Sequence, residues 1–149
     1  MPNQIAFDLG DLLLVSKLIE GQFPNFQQVI PSESLVHVQV SREALLQALH
    51  RVSILLTDRT NSVRITFRPD TIIIDANAPE VGEAHEELPA QSDGEELTIA
   101  FNPAYMMDPL RQLEIDTLNI DLSDTTSPGV IRTQAYSFLY VIMPMRVKA

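Results

Sequence analysis

Three histidines, His37, His50 and His85, stand among twenty carboxylates, the residue types that metal-assisted or general-base hydrolysis uses. Their spacing does not organise that chemistry. No pair of histidines has a ligand spacing, no Gly-Ser-Gly-like elbow presents a nucleophile, and no glycine-rich loop cradles phosphate. Asp70, Asp75, Asp116, Asp121 and Asp124 fall at strand ends and turns, where aspartate bonds local backbone. The chain contains no cysteine, so thiolate metal sites and disulfides are excluded, in keeping with a reducing cytosol. These residues read as a non-enzymatic chain with neither cofactor nor metal.

The run Tyr140-Val141-Ile142-Met143-Pro144-Met145-Arg146 offers binding chemistry instead. In an extended chain Val141, Met143 and Met145 share one face, and Tyr140 and Ile142 share the other. One face can enter a core. The other carries polarisable, deformable methionines on either side of a proline, a surface that accommodates several partners. A wholly buried sheet strand is the other reading of the same residues.

The elements that would hold this run come from 149 residues, 45% hydrophobic, with a net charge of −10. That is enough for one aliphatic core and too acidic for a general nucleic-acid binder, since phosphate affinity needs clustered Lys and Arg. No signal sequence or membrane-length apolar run occurs. A soluble, cytoplasmic protein is expected.

Residues 4–8 and 12–19 read as a hairpin turning at Gly10-Asp11. A short turn or helix follows, with Phe23, Phe26, Val29 and Ile30 spaced to dock on one side, and a linker at residues 31–34 marks a domain boundary. From residue 36 the spacing gives a strand at 36–40, a helix capped by Ser41 with Leu45, Leu49, Val52 and Leu56 on its apolar stripe, and strands at 63–67, 71–75 and 80–88. The same order returns as a strand at 96–101, a helix at 105–113 with Asn102 as cap and Pro103 in its first turn, and strands at 117–122, 129–134 and 137–143. The result is an α+β fold of two β-α-β-β-β units, each of roughly fifty residues, with both helices on one side of antiparallel sheets. Pro109 removes a donor inside the second helix, so a kink or an early end is expected.

Three motifs in this order, Ser16-Lys17-Leu18-Ile19-Glu20-Gly21-Gln22-Phe23-Pro24-Asn25-Phe26 with Val29-Ile30-Pro31, Phe101-Asn102-Pro103-Ala104-Tyr105, and the closing Tyr140 to Arg146 run, resemble the beta subunit family of bacterial DNA polymerase III, the sliding clamps. The resemblance covers essentially the whole chain. It implies the DNA clamp fold, with residues 1–32 as the end of a middle domain and residues 33–149 as the C-terminal domain. It also implies a processivity factor whose head-to-tail dimeric ring encircles DNA and tethers its partners. A stand-alone clamp-fold adaptor, or a short form without ring function, is the alternative.

The resemblance carries roles onto particular residues. Partner peptides of the type Gln-Leu-x-Leu-Phe would enter a cleft formed by Pro24, Val29, Asn102, Tyr105, Val141, Ile142, Met143, Pro144, Met145 and Arg146, with residues 126–129 as a rim. The ring interface would use Ile54 and Leu55 with the acidic residues Glu80, Glu83, Glu86 and Glu87, and the DNA-facing residues would be His50, Arg51 and Arg111. The implied partners are the polymerase III catalytic subunit, the clamp loader, repair proteins with clamp-binding peptides, double-stranded DNA bound without sequence preference, and a second clamp chain. Gln28 departs from the family, many of whose members place an arginine there, and removes a charge from that side of the cleft.

Overall fold

The computed structural model describes residues 3–23, 25–57, 61–79, 81–133 and 137–146. An isolated hairpin comes first, β1 (Gln4–Asp8) and β2 (Leu13–Lys17), in antiparallel register from Gln4 opposite Lys17 to Asp8 opposite Leu13. Gly10, at φ 87°, takes the left-handed turn position, and its N–H donates to Asp8 Oδ1 at 3.0 Å. Every residue of the two strands is exposed. A single 3-10 turn at Phe26–Gln28 follows, started by the Asn25 side chain. Phe23, Phe26 and Val29 do not dock as their spacing suggests: they are exposed, because no described element of the chain offers them a surface.

The core begins at Val36. β3 (Val36–Ser41) alternates buried and exposed residues, and its last residue, Ser41, caps α1 (Arg42–Ser53) by accepting from the Ala44 N–H. Leu45, Ala48, Leu49 and Val52 recur at helical spacing and form the buried stripe of α1, while Leu56 lies past its end, half-buried. A meander follows, β4 (Val63–Phe67), β5 (Thr71–Ala78) and β6 (Gly82–Ser92). The second unit repeats the order: β7 (Leu97–Phe101), α2 (Pro103–Gln112), β8 (Thr117–Leu122), β9 (Gly129–Arg132) and β10 (Leu139–Ile142).

The strands from β3 onward lie in the order β10-β9-β8-β3-β6-β5-β4-β7, with antiparallel pairs throughout. Each unit lends its first strand to the other. β3 pairs with β8 from Val36 opposite Leu122 to Ser41 opposite Thr117, and β7 pairs with β4 from Leu97 opposite Phe67 to Phe101 opposite Val63. The units therefore share one core, in which Phe67, Phe101, Leu45, Leu49 and Leu110 are fully enclosed. The segment that follows β10 is tied to β7, as the Met145 N–H donates to the Ala100 carbonyl at 2.8 Å.

β6 extends beyond the expected strand. Its first part pairs with β5 from Gly82 opposite Ala78 to Pro89 opposite Thr71, and its last three residues turn to β3. Pro89, which has no N–H to give, stands where the partner changes. Glycine is required just beyond: a Cβ on Gly94 would lie 2.5 Å from Val36 Cγ2 and 2.9 Å from the Leu35 carbonyl oxygen.

The two helices pack on each other, with the start of α1 beside the end of α2. Arg42 Nη1 donates to the Leu110 carbonyl and Nε to the Ile115 carbonyl, both at 2.9 Å, so one guanidinium satisfies a carbonyl in the last turn of α2 and another in the segment that follows it. α2 begins at Pro103, directly after the Asn102 cap as expected, because proline suits the first turn. It runs through Pro109 and stops at Gln112, within a turn of the proline, with the Leu113 N–H donating to the Pro109 carbonyl at 3.1 Å.

Candidate functional site: an apolar groove between the second helix and the last strand

The groove starts from the cap of α2. Asn102 Oδ1 accepts the Ala104 N–H at 2.9 Å, so its side chain fixes the first turn, and Pro103 is buried beneath it. Tyr105, one helical step further, stays outward and 59% exposed while its neighbours Met106 and Met107 enter the core. β10 supplies the facing wall. Ile142 enters the core and Tyr140 packs against it from the same face, whereas Val141 and Met143 point the other way, with Met143 58% exposed. Strand pairing stops at Ile142, and Pro144 lacks an N–H with which to continue it. The Met145–Ala100 hydrogen bond then draws the end of the chain back toward the start of α2.

These elements enclose a groove of about 470 Å³ lined by Asn102, Tyr105, Val141, Ile142, Met143, Pro144 and Met145, together with Tyr140 and Asn61. Seven of the ten expected cleft residues meet here. Arg146 follows directly on the rim and is exposed but does not line the groove. Val29 does not line it either, since it sits 44% exposed on a segment whose apolar side chains rest on no described core. Pro24 lies outside the described residues.

Tyr140 and Asn61 were not expected in the groove. Tyr140 has the face alternation of a core residue, and only its partial burial beside Tyr105 admits its ring to the wall. Asn61 precedes β4 and reaches the groove because β4 pairs with β7, which leads into Asn102; no local sequence signal carries that contact. Burial, then the Asp108 carboxylate and the Tyr105 phenol, hold the Tyr140 hydroxyl above the usual phenol range. In the turn before β9, Asp124 accepts from the Thr126 and Ser127 N–H groups at 2.6 and 2.7 Å and from both hydroxyls, which depresses its carboxyl strongly and fixes that turn.

The other expected residues fall on different surfaces. Ile54 and Leu55 lie just past α1, the first 74% exposed and the second half-buried. Glu83 is exposed and accepts from the Asn77 side-chain amide at 2.8 Å, while Glu80 lies outside the described residues. The described part of the expected acidic strand, residues 82–88, pairs with β5 alone and has no strand on its other side among the described residues; only residues 90–92, beyond it, pair with β3. Arg51 and Glu86, expected on separate surfaces, form one pair: two 2.7 Å hydrogen bonds join guanidinium to carboxylate. Arg51 is therefore held toward the β6 edge, with its side chain still half exposed. His50 is exposed, and Arg111 reaches back to Met107 and Asp108. Among the described residues no cluster of three or more His, Cys, Asp or Glu forms a metal site.

The doubled unit with paired helices has close counterparts among solved structures. It matches a sliding clamp of Bartonella birtlesii, described as bound to griselimycin, with a TM-score of 0.88 and 36% identity over 97% of this chain and 40% of that one. It matches the DNA polymerase III beta subunit of Thermotoga maritima with a TM-score of 0.86 and 30% identity over 98% and 40%. Fold and groove thus define an α+β domain of the DNA clamp class. The beta sliding clamp of Chlamydia muridarum is 37% identical over 145 residues, which are 97% of this chain and 39% of that protein, and the family model for the C-terminal domain of the DNA polymerase III beta subunit matches residues 27–146. The chain belongs to the DNA polymerase III beta subunit family.

Proposed function

We propose that this chain is the partner-binding part of a sliding-clamp processivity factor and has no catalytic role. The observation that carries the reading is the groove. Asn102, Tyr105 and residues 141–145 come from two distant parts of the sequence and line one apolar trough of about 470 Å³, a size suited to a few apolar anchor side chains. Asn102 and Tyr105 add polar groups that can hold a peptide's glutamine or backbone. The occupant is a Gln-Leu-x-Leu-Phe-like segment of a polymerase catalytic subunit, a clamp loader or a repair protein. Residues 33–149 form the C-terminal domain and residues 1–32 belong to its middle-domain neighbour, a division supported by the core beginning at Val36 and by the exposure of the hairpin.

Ring closure is assigned to Ile54, Leu55 and the Glu83 and Glu86 side of β6, whose first part has no strand on the β3 side among the described residues. An incoming strand can add there. His50, Arg51 and Arg111 are the helix residues assigned to non-specific contact with double-stranded DNA in the ring, which acts in the cytoplasm. Since the chain spans 39% of the Chlamydia relative's length, the expected affinity of the chain alone for a labelled Gln-Leu-Ser-Leu-Phe peptide is weak, with Kd on the order of 100 μM. In an anisotropy titration Tyr105→Ala and Met143→Ala each weaken it by at least about threefold. Tight binding unaffected by both substitutions refutes the assignment.

A further inference from the structure

The two ends of the groove carry opposite charges. Tyr105 and Asp108 are three residues apart on α2, so both project from the same exposed stripe of the helix. Asp108 is exposed, and its only described ion-pair partner, Arg111, is 3.7 Å away, beyond hydrogen-bond length. The carboxylate also lies close enough to Tyr140 to help raise that hydroxyl's pKa. Asp108 therefore stands beside the Tyr105–Tyr140 end of the trough.

Arg146 stands at the other end. β10 passes Tyr140, and the Met145–Ala100 hydrogen bond pins the following residues next to the strand that leads into the Asn102 cap. Asp108 lies six residues past Asn102, roughly 9 Å further along α2, so the carboxylate and Arg146 flank different stretches of the trough. A segment lying in the trough has one terminus near a carboxylate and the other near a guanidinium.

We propose that Asp108 is a specificity-determining residue of the groove: it selects a basic residue at one end of the bound peptide and, with Arg146 opposite, fixes the direction in which the peptide lies. The proposal deepens the peptide-groove reading above and rests on it. The occupant is a partner segment with an apolar core, a Lys or Arg at the Asp108 end and an acidic residue or free carboxylate at the Arg146 end. Rim charges of this kind choose between partners and orientations more than they add affinity.

The test uses the full chain and four labelled peptides that share the Gln-Leu-Ser-Leu-Phe core and carry either Lys or Glu, followed by one Gly spacer, at one terminus or the other. The Lys peptides should differ according to terminus: Lys at one end strengthens binding about two- to fivefold relative to Glu there, as an exposed charge pair does, and raised salt narrows the gap. Asp108→Asn should abolish that preference and Asp108→Lys should reverse it, while Glu95→Gln, an exposed carboxylate elsewhere, leaves it intact. If the peptides bind but Asp108→Asn and Asp108→Lys leave the preference unchanged, or if no preference exists, Asp108 has no such role and the groove reading stands. If none of the four binds, the groove reading fails and this proposal with it.

Discussion

At the scale of single residues, charge is spent on tying strands together. His85 Nδ1 lies 2.7 Å from Asp75 Oδ1 across the β5–β6 pair. That hydrogen bond raises the imidazole pKa above its ordinary value; desolvation opposes it less strongly, and attraction to Asp75, Glu87 and Glu86 adds to the rise. A histidine whose folded pKa is raised adds stability that is fully present below its unfolded pKa and is lost as pH rises through the folded one. The pairing should therefore weaken from about pH 6.5 upward. A proton NMR titration checks it: the His85 ring should titrate above an unstructured histidine and return toward it in Asp75→Asn, and an unchanged midpoint in that variant contradicts the pairing. This row was invisible in the sequence. His85 and Asp75 are ten residues apart, and only the β5–β6 register sets them opposite each other.

At the scale of elements, β8 and β9 are joined by a charge pair between Asp121 and Arg132, both largely withdrawn from solvent. Asp121→Ala should destabilise the domain by about 1–3 kcal/mol in urea denaturation, because the half-buried guanidinium loses two charge-assisted hydrogen bonds. A cost below about 1 kcal/mol would show the pair to be dispensable. The elements themselves were the most legible part of the chain. β4 and β8 occupy the expected residues, since alternation and flanking turn residues define both ends locally. Ser41 and Asn102 announce their helices for the same reason. β6 runs past the expected end at residue 88, because β3, more than forty residues earlier, offers it a second partner. Isolated residues of the groove, above all Asn61, depend on such non-local pairing and carry no local signature.

At the scale of the whole molecule, the described residues form two unequal parts: those from Val36 onward share one interlocked core, whereas the β1–β2 hairpin is exposed along both strands. Amide hydrogen exchange should register that contrast, with β1 and β2 exchanging much faster than β3–β8, and equal protection would mean that the hairpin has a packing surface of its own. The doubled order and the three motifs were enough to anticipate the family, and seven cleft residues converge as the resemblance implied. Its extension to Val29 is not seen, because that residue belongs to the exposed segment. The methionines supply the most direct test of the groove. Met143 and Met145 line it, whereas Met106 and Met107 are buried in the core under α2. In a methyl-labelled NMR titration with the Gln-Leu-Ser-Leu-Phe peptide, the Met143 and Met145 methyl signals should shift progressively while those of Met106 and Met107 hold still. Shifts confined to other surfaces, or none at saturating peptide, would contradict the assignment of this groove as the site where partners bind.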